Sequence, residues 1–279
     1  MSSTSTAEIK LLIVDIDGTI AGQSNQVSNR VKQAIRAAQS QGVRVGIATG
    51  RMYQSALRFH HEIGADFPII AYQGAWIQDP ATGKTHRHLP LTVEAARELI
   101  DYFEQSHLFD RLSIHVYRDD RLYVRDINPD TELYIGRSGI PAHPVGDLRT
   151  VLTDRPTKML AMSEDVELIN RLLVDLQQRY PKEELHITTS VPIFLEATNA
   201  GVNKGTAIDY IGKELLGIAA ANVLAIGDNY NDVEMLDYAG IGVAMGNAPH
   251  DVQSRADWVA PNIESDGVAV AIEKFILNY

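Results

Sequence analysis

Two carboxylates follow an apolar run near the start of the chain, in the stretch LLIVDIDGTI. Asp15 and Asp17 are separated by one residue, and side chains at this spacing in a strand point to the same side. Ligands of open α/β sheets bind beyond the carboxyl ends of the strands. Aspartate and glycine are also common in ordinary turns. The pair is nevertheless a candidate for metal binding or proton transfer.

A second acidic cluster ends another apolar run, in VLAIGDNYND. Asp228 follows this run directly, and Asp232 comes near the start of the next predicted helix. If the two clusters meet, each close pair of carboxylates repels by about 4 kcal/mol at an intermediate dielectric constant. The arrangement therefore needs a cation. A hard divalent ion with oxygen ligands suits it, and we expect Mg²⁺.

Two further stretches are typical of phosphate binding. IATGR ends a strand in Thr49, Gly50 and Arg51. GVNKGTAI places Lys204 at the start of a helix, where backbone N–H groups and the ammonium can both face an anion. Thr–Gly turns and a helix-capping Asn203 also occur without any ligand. Together, however, carboxylates with a metal, a threonine and a lysine predict a phosphoryl-transfer centre.

The motifs DIDGT, ATGR, NKG and GDNYND, in this order and spacing, resemble the four motifs of the haloacid dehalogenase superfamily. The long insertion between the second and third motifs, with GDNYNDVEML and GVAMGNAP downstream, is similar to the Cof-type subfamily (subclass IIB). The resemblance covers nearly the whole chain from Lys10 onward. It implies an α/β cap of the C2B kind over the site and activity on phosphate esters.

The resemblance also implies a role for each acidic residue. Asp15 would be the nucleophile that attacks phosphorus to give an aspartyl-phosphate. Asp17 would be the general acid and base, which protonates the leaving oxygen and then deprotonates the hydrolytic water. Mg²⁺ would be held by Asp15, the Asp17 backbone carbonyl and Asp228. Asp232 would orient Lys204 and a metal-bound water, which completes the implied catalytic set of Asp15, Asp17, Lys204 and Asp232.

By the same resemblance, several groups would stabilise charge on the phosphoryl oxygens in the transition state. Arg51 is a candidate contact for the phosphate or the leaving group, and a solvated arginine at the start of a helix is the alternative. The subfamily usually has asparagine where this chain has Gln73, a difference that bears on substrate positioning rather than catalysis. The implied substrate-binding set is Ile16, Thr49, Gly50, Arg51, Lys204 and Asn231.

Alternating strand-like and helical patterns predict the elements that position these residues. The chain opens as strand, helix, strand, helix and then the strand-like PIIAYQGAWI, which indicates βαβ units around a parallel sheet. The middle of the chain mixes helices with the hairpin-like pair LSIHVY and RLYVRD. The predicted fold is α/β: a Rossmann-like parallel-sheet core domain (residues 1–83 and 191–279) with an inserted α+β cap domain (residues 84–190).

Other candidates have simpler explanations. Lys158 on a cap strand and the turn at Tyr117–Asp120 are placed to reach down over the site, although hairpin-turn chemistry alone explains that turn. The stretch His86–His88 is predicted as a solvated linker, and Trp76 and Tyr72 as core packing. We add none of them to the predicted site.

Composition limits the partners. The chain has 279 residues, a net charge of −11 and 45 % hydrophobic residues, which predicts large cores and argues against nucleic-acid or anionic-membrane partners. Because it has no cysteine, disulfides and thiolate chemistry are excluded. The polar first ten residues show no signal-peptide pattern, and we expect a cytoplasmic location. The sequence favours neither a monomer nor a homodimer.

The leading hypothesis is a Mg²⁺-dependent phosphatase that acts on a small phosphorylated metabolite, such as a sugar phosphate or a phosphorylated cofactor (FMN or pyridoxal phosphate). A cap that closes over the leaving group disfavours macromolecular phosphoesters. One alternative is a phosphomutase with the same covalent chemistry, which needs a bisphosphate activator. The other is a non-catalytic metabolite-binding homologue, which predicts a missing catalytic residue, whereas all of them are present.

Overall fold

Strands and helices alternate through residues 8–278, which a computed structural model describes; the predicted N-terminal tail lies, up to residue 7, outside the described residues. The longest helix in this range has 14 residues, whereas a helix needs about 20 residues to cross a membrane.

The strands are β1 (Leu11–Val14), β2 (Arg44–Ile47), β3 (Ile69–Ala71), β4 (Trp76–Gln78), β5 (Thr85–His88), β6 (Ser113–Arg118), β7 (Arg121–Val124), β8 (Ala142–Pro144), β9 (Lys158–Met162), β10 (Leu185–Thr188), β11 (Phe194–Asn199), β12 (Val223–Gly227), β13 (Ile241–Ala244) and β14 (Trp258–Val259). The α-helices are α1 (Asn29–Ser40), α2 (Tyr53–Ile63), α3 (Val93–Phe103), α4 (Pro129–Ser138), α5 (Val166–Arg179), α6 (Lys204–Ile211), α7 (Val233–Tyr238), α8 (His250–Gln253) and α9 (Gly267–Ile272).

The central sheet is parallel, with the strand order β14-β13-β12-β1-β2. β1 lies between β12 and β2, and all of its residues are buried. A strand that is covered on both faces has no polar face, which explains its unbroken apolar sequence. Because Val14 pairs with Ile226, Asp15 and Asp228 leave neighbouring strands at the same edge of the sheet. The predicted α/β fold with a parallel-sheet core is confirmed.

The stretch PIIAYQGAWI, predicted as one strand, forms two. β3 ends at Ala71, and the backbone of Tyr72 and Gln73 turns through the left-handed region (φ 52° and 62°) before β4 begins. Side-chain-bearing residues adopt this region at a cost, so the surrounding structure must hold the turn. β3, β4 and β5 form a small antiparallel sheet, and β5 contains the His86–His88 stretch predicted as a linker.

The second large sheet, which we call the cap sheet, has the strand order β10-β11-β9-β6-β7-β8 and is antiparallel except at β7–β8. The predicted hairpin is β6–β7. β11 pairs with β9 and β10 here, although residues 191–279 are predicted as core. Its apolar run is that of a core strand, and only long-range pairing assigns it to this sheet. The division into two domains stays a prediction, but a boundary at residue 190 would separate β11 from its partners.

Helix α4 is an element that the sequence analysis does not predict. Its apolar residues form no continuous helical stripe, and its clearest signal is Asn128, whose side chain accepts a hydrogen bond from the first turn. The last turn of α4 contacts the core: Asn25 Nδ2 donates to the Arg137 carbonyl at 3.0 Å. Ser55 Oγ donates to the Ser138 carbonyl at 2.9 Å. α4 is therefore held at the junction between the cap sheet and the core.

The β6–β7 turn fastens the cap sheet to helix α2, which follows the ATGR motif. The buried Asp120 carboxylate accepts hydrogen bonds from the backbone N–H groups of Tyr53 and Gln54, both at 3.0 Å. It also accepts one from the Tyr72 hydroxyl at 2.7 Å. Met52, the residue before α2, provides no side-chain cap, so Asp120 caps this helix from the other sheet.

Asp120→Ala is therefore expected to lower the free energy of unfolding by about 1–3 kcal/mol, because the helix start and a buried hydroxyl lose their acceptor. Chemical denaturation measures the change. Asp119→Ala is the matched control, since Asp119 has nearly the same left-handed φ (52° against 54°) but a side chain that is 67 % exposed. Equal losses in both variants would assign the effect to the turn conformation and contradict the prediction.

Candidate active site

A buried ammonium lies between two carboxylates at the edge where β1 and β12 end. Lys204 Nζ is 2.7 Å from Asp15 Oδ1 and 2.5 Å from Asp232 Oδ1. The Asn203 side chain accepts from the Thr206 N–H and so fixes the start of α6 at Lys204. Burial opposes the charge of Lys204, but the two carboxylates outweigh it and raise its pKa above the usual range. Lys204 is therefore a fixed positive charge.

Three carboxylates converge beside this lysine. One oxygen each of Asp15, Asp228 and Asp232 lies within 4.8 Å of the other two. Burial, with repulsion between the carboxylates, raises the pKa of Asp15 to about 7 and that of Asp228 to about 8. When all three carboxylates are ionised, the single ammonium leaves two negative charges uncompensated. A divalent cation would supply that charge, and a donor set of oxygens fits Mg²⁺.

Two neighbours in the DIDGT motif shape the position of Asp228. Thr19 Oγ1 donates to Asp228 Oδ1 at 3.0 Å. A Cβ built at Gly18 would lie 2.1 Å from Asp228 Oδ2, so only glycine leaves room for this carboxylate. Gly18 also has a φ of 85°, which glycine adopts at little cost. The DIDGT motif therefore holds Asp228 in place, in addition to supplying Asp15 and Asp17.

Asp232 uses both of its carboxylate oxygens within the protein. Oδ1 accepts from Lys204, and Oδ2 accepts from the backbone N–H groups of Asp228 and Asn229 at 2.9 and 3.1 Å. Its partners are therefore the lysine and the backbone of the loop after β12. The converging carboxylates therefore include Asp232, whereas the sequence-based metal set is Asp15, Asp17 and Asp228.

Asp17 pairs with two arginines and stands outside the carboxylate cluster. Arg51 binds it through two parallel hydrogen bonds, Nε to Oδ2 and Nη2 to Oδ1, both 2.7 Å. Arg137, from α4, donates from Nη2 to Oδ1 at 3.1 Å. Burial alone would raise the pKa of Asp17, but the hydrogen bonds and charges of the arginines outweigh it and hold this pKa below its ordinary value.

The ATGR motif forms the loop after β2. Thr49 is buried, and its Oγ1 accepts from the Arg51 N–H at 3.1 Å. A Cβ at Gly50 would lie 2.4 Å from Gln73 Nε2, so the loop packs directly against that amide. Ile16, predicted as a substrate-binding residue, is fully buried, and the structure does not bring it to the pocket wall.

A chain of buried hydrogen bonds links this loop to the cap sheet. Asn231 Nδ2 donates to Gln73 Oε1 at 3.1 Å, and Gln73 Nε2 donates to Glu196 Oε2 at 2.7 Å. Glu196 Oε1 lies 3.3 Å from Lys158 Nζ, which also donates to the Gly50 carbonyl at 2.8 Å. Because glutamine is one methylene longer than the asparagine usual in the subfamily, Gln73 reaches from Asn231 to the cap. Lys158 does lie over the site.

One pocket brings most of the predicted residues together. Sequence reasoning singled out Lys158 but missed the other side chains that the cap adds, because they come from separate elements whose pairing is long-range. The only local signals are a helix cap before α4 and a charged residue within each of two apolar strands. The predicted residues that line the pocket are Asp15, Asp17, Thr49, Gly50, Arg51 and Asn231, and the added ones include Tyr134, Arg137, Lys158, Phe194, Ser190 and Glu196.

Comparison with known proteins agrees with this geometry. The chain matches the family of haloacid dehalogenase-like hydrolases over residues 12–272. It belongs to the haloacid dehalogenase-like hydrolases. YitU of Bacillus subtilis, named a 5-amino-6-(5-phospho-D-ribitylamino)uracil phosphatase, is 30 % identical to this hydrolase over 271 residues, which cover 95 % of this chain and 97 % of YitU. YcsE of the same organism, with the same named activity, is 30 % identical over 97 % of each chain.

Solved structures agree as well. A haloacid dehalogenase-like hydrolase from Bacteroides thetaiotaomicron superposes on this hydrolase with a TM-score of 0.83 at 27 % identity, covering 96 % of this chain and 99 % of that one. The predicted resemblance to the superfamily and its Cof-type branch is confirmed. The named relatives support a phosphoric monoester hydrolase.

Proposed function

We propose that this hydrolase is a Mg²⁺-dependent phosphatase that cleaves a small phosphorylated metabolite through an aspartyl-phosphate on Asp15. The observation that carries the proposal is the convergence of Asp15, Asp228 and Asp232 within 4.8 Å beside a single buried ammonium. Such a cluster requires a cation and leaves a carboxylate facing the pocket. The Thr49–Gly50 loop lines the same pocket and offers a hydroxyl and a backbone N–H to a phosphoryl group.

The proposed reaction has two steps. An Asp15 oxygen forms a bond to phosphorus while the bond from phosphorus to the ester oxygen breaks, and Asp17, once it has taken up a proton, gives that proton to the ester oxygen as the alcohol leaves. Because Arg51 and Arg137 hold the pKa of Asp17 low, this step requires the release of at least one arginine contact, which raises that pKa. A water then attacks phosphorus and gives a proton to Asp17, while the bond from phosphorus to Asp15 breaks. Inorganic phosphate leaves, and both aspartates return to their starting states.

The remaining residues stabilise charge and position. Lys204, with Thr49, the Gly50 N–H and Asn231, would hold the phosphoryl oxygens in the transition state. Asp232 would keep Lys204 in place, since it accepts from the ammonium at 2.5 Å. The Asp15 and Asp228 side chains with the Asp17 backbone carbonyl are the proposed Mg²⁺ ligands. When bound, the ion would neutralise the cluster and polarise the phosphoryl group.

Removal of the metal with EDTA is expected to abolish phosphate release, and added Mg²⁺ to restore it. Because the ion relieves carboxylate repulsion, it should also stabilise the fold, by about 2.7 kcal/mol at a free concentration of 100 times its Kd. Thermal unfolding with and without Mg²⁺ measures this independently of activity. Asp228→Asn should lose the stabilisation, whereas the control Asp237→Asn, near the C-terminal end of α7 and paired with Arg255, should keep it. Equal stabilisation of Asp228→Asn would contradict the ligand assignment.

The substrate class follows from the pocket and the relatives together. YitU and YcsE are named for a phosphorylated ribitylamino-uracil, which is a small metabolite. The pocket combines apolar walls at Tyr134, Leu160 and Phe194 with a few charged groups, as is typical of small-molecule sites. We therefore propose a small phosphate monoester, either a sugar phosphate or a phosphorylated cofactor such as FMN or pyridoxal phosphate.

A phosphate-release screen with Mg²⁺ tests the proposal. The panel contains sugar phosphates, FMN, pyridoxal phosphate and the phosphorylated ribitylamino-uracil, with kcat/KM ranking the substrates. We expect release without any bisphosphate activator. A strict requirement for a bisphosphate would indicate a phosphomutase. Binding of phosphorylated compounds with no turnover of any of them would indicate a non-catalytic homologue, and either result would overturn the proposal.

A further inference from the structure

We propose that Arg137, on helix α4, is a substrate-binding residue that leaves Asp17 for the substrate's phosphoryl group when the substrate enters. The inference rests on the proposed phosphatase function. It assigns the cap side of the pocket a direct contact with phosphate, beyond any contact with the leaving group.

Residues 8–278 contribute three cations to the pocket lining. Of these, only Arg137 pairs with a carboxylate that another cation already neutralises. Lys158 is paired with Glu196 at 3.3 Å. Arg51 binds both oxygens of Asp17. Arg137 shares one of those oxygens with Arg51, so two guanidinium groups face one carboxylate. This side of the pocket therefore carries one positive charge in excess, which attracts an entering phosphate dianion.

The two arginines differ in how firmly they are held. Besides Asp17, Arg51 donates to Asn25 Oδ1 at 2.9 Å, its guanidinium carbon lies 4.8 Å from the centre of the Phe59 ring, and its side chain is 10 % exposed. Arg137 makes one longer contact to Asp17, at 3.1 Å, and its side chain is 45 % exposed. A single half-exposed ion pair contributes little free energy. Arg137 can therefore exchange partners while Arg51 stays in place.

The backbone of Arg137 is fixed although its side chain is not. Its carbonyl accepts from Asn25 Nδ2, and the next carbonyl, of Ser138, accepts from Ser55 Oγ. These contacts hold the last turn of α4 against the core. Arg137 lines both the pocket that contains Asp15 and the adjoining cleft that contains Asp228. Because the backbone of Arg137 is fixed at that junction, its guanidinium is placed to contact a phosphate that binds beside Asp15.

The exchange is favourable on chemical grounds. Arg51 already binds both Asp17 oxygens, whereas a phosphate group offers more oxygens and more negative charge to Arg137. A guanidinium binds phosphate through two parallel hydrogen bonds. Asp17 keeps both of its bonds to Arg51 when Arg137 leaves, so no charge is left unpaired. The contact to Asp17 is thus a resting position for Arg137 in the absence of substrate.

Binding of inorganic phosphate to the Mg²⁺-loaded protein, measured by calorimetry, tests the inference alongside KM and kcat for a substrate from the screen. Arg137→Ala is expected to weaken phosphate binding about tenfold or more and to raise KM similarly, with a smaller change in kcat. Arg137→Lys should fall between Arg137→Ala and the wild type. Arg111→Ala is the matched control, because Arg111 is 47 % exposed, pairs with Asp165 and lines neither the pocket nor the adjoining cleft. Thermal unfolding verifies that each variant is folded.

Phosphate binding by Arg137→Ala that equals that of Arg111→Ala would overturn the inference. A higher KM with unchanged phosphate binding would also overturn it, because Arg137 would then contact only the leaving group. Failure of the proposed function is distinct from both results, since it would appear as absent turnover in the wild type. If Arg137→Ala is unfolded, Arg137→Lys provides the same comparison.

Discussion

Asp15→Asn is expected to lower the rate of phosphate release by about 10⁴-fold, because the amide cannot attack phosphorus and the remaining groups give only residual catalysis. The loss should be in kcat, with substrate binding largely kept. The fold should be at least as stable as the wild type in the absence of Mg²⁺, since one of three mutually repelling carboxylates is gone. Phosphate-release assays and thermal unfolding measure the two effects separately.

Asp66→Asn is a suitable control for Asp15→Asn, because its side chain is 44 % exposed and pairs with Arg44 away from the pocket. It should release phosphate at the wild-type rate. Wild-type activity in Asp15→Asn would show that Asp15 is not the nucleophile and would contradict the covalent mechanism.

Lys204→Met is expected to damage both stability and activity. Lys204 is fully buried between Asp15 and Asp232, so its removal leaves two buried carboxylates without their cation. Loss of one partner from a buried ion pair costs about 3–5 kcal/mol of folding free energy. Loss of a charge that stabilises the transition state should reduce kcat/KM by about 10²–10³-fold. Denaturation and steady-state kinetics measure the two losses.

Lys213→Met is the control for this second variant. Lys213 lies just after α6 and forms an exposed pair with Asp209, with a side chain that is 67 % exposed. It should change stability by little, as expected for a surface ion pair. Mg²⁺ should recover part of the stability of Lys204→Met, because it supplies positive charge to the same carboxylates. A Lys204→Met protein as stable as Lys213→Met would contradict the assignment of Lys204 as the central structural charge.

The sequence alone was sufficient for the core and for the residues at its carboxyl edge. β1 and β12 have continuous apolar runs that end in acidic residues, and parallel strands bring such ends together. Asp15, Asp228 and Asp232 could therefore be placed side by side from the sequence. Lys204 could be added because Asn203 marks the start of its helix.

The cap side could not be predicted in the same way. β11 has the pattern of a core strand, and only its pairing with β9 and β10 assigns it to the cap sheet. The turn at Gln73 depends on left-handed backbone at two residues that show no local preference for it. Arg137 lies on a helix without a clear apolar stripe. In each case long-range contacts decide the conformation, and a single sequence contains no direct record of them.

Covalent catalysis by Asp15 is tested most directly by stopping turnover with acid and searching for phosphate covalently bound to the chain. A Mg²⁺-loaded sample mixed with its best substrate is quenched within one turnover, digested and analysed by mass spectrometry. We predict one added phosphoryl group on the peptide that contains Asp15, absent from Asp15→Asn and lost on mild base treatment. Rapid turnover with no phosphorylated peptide, or with the phosphoryl group on another residue, would contradict the account.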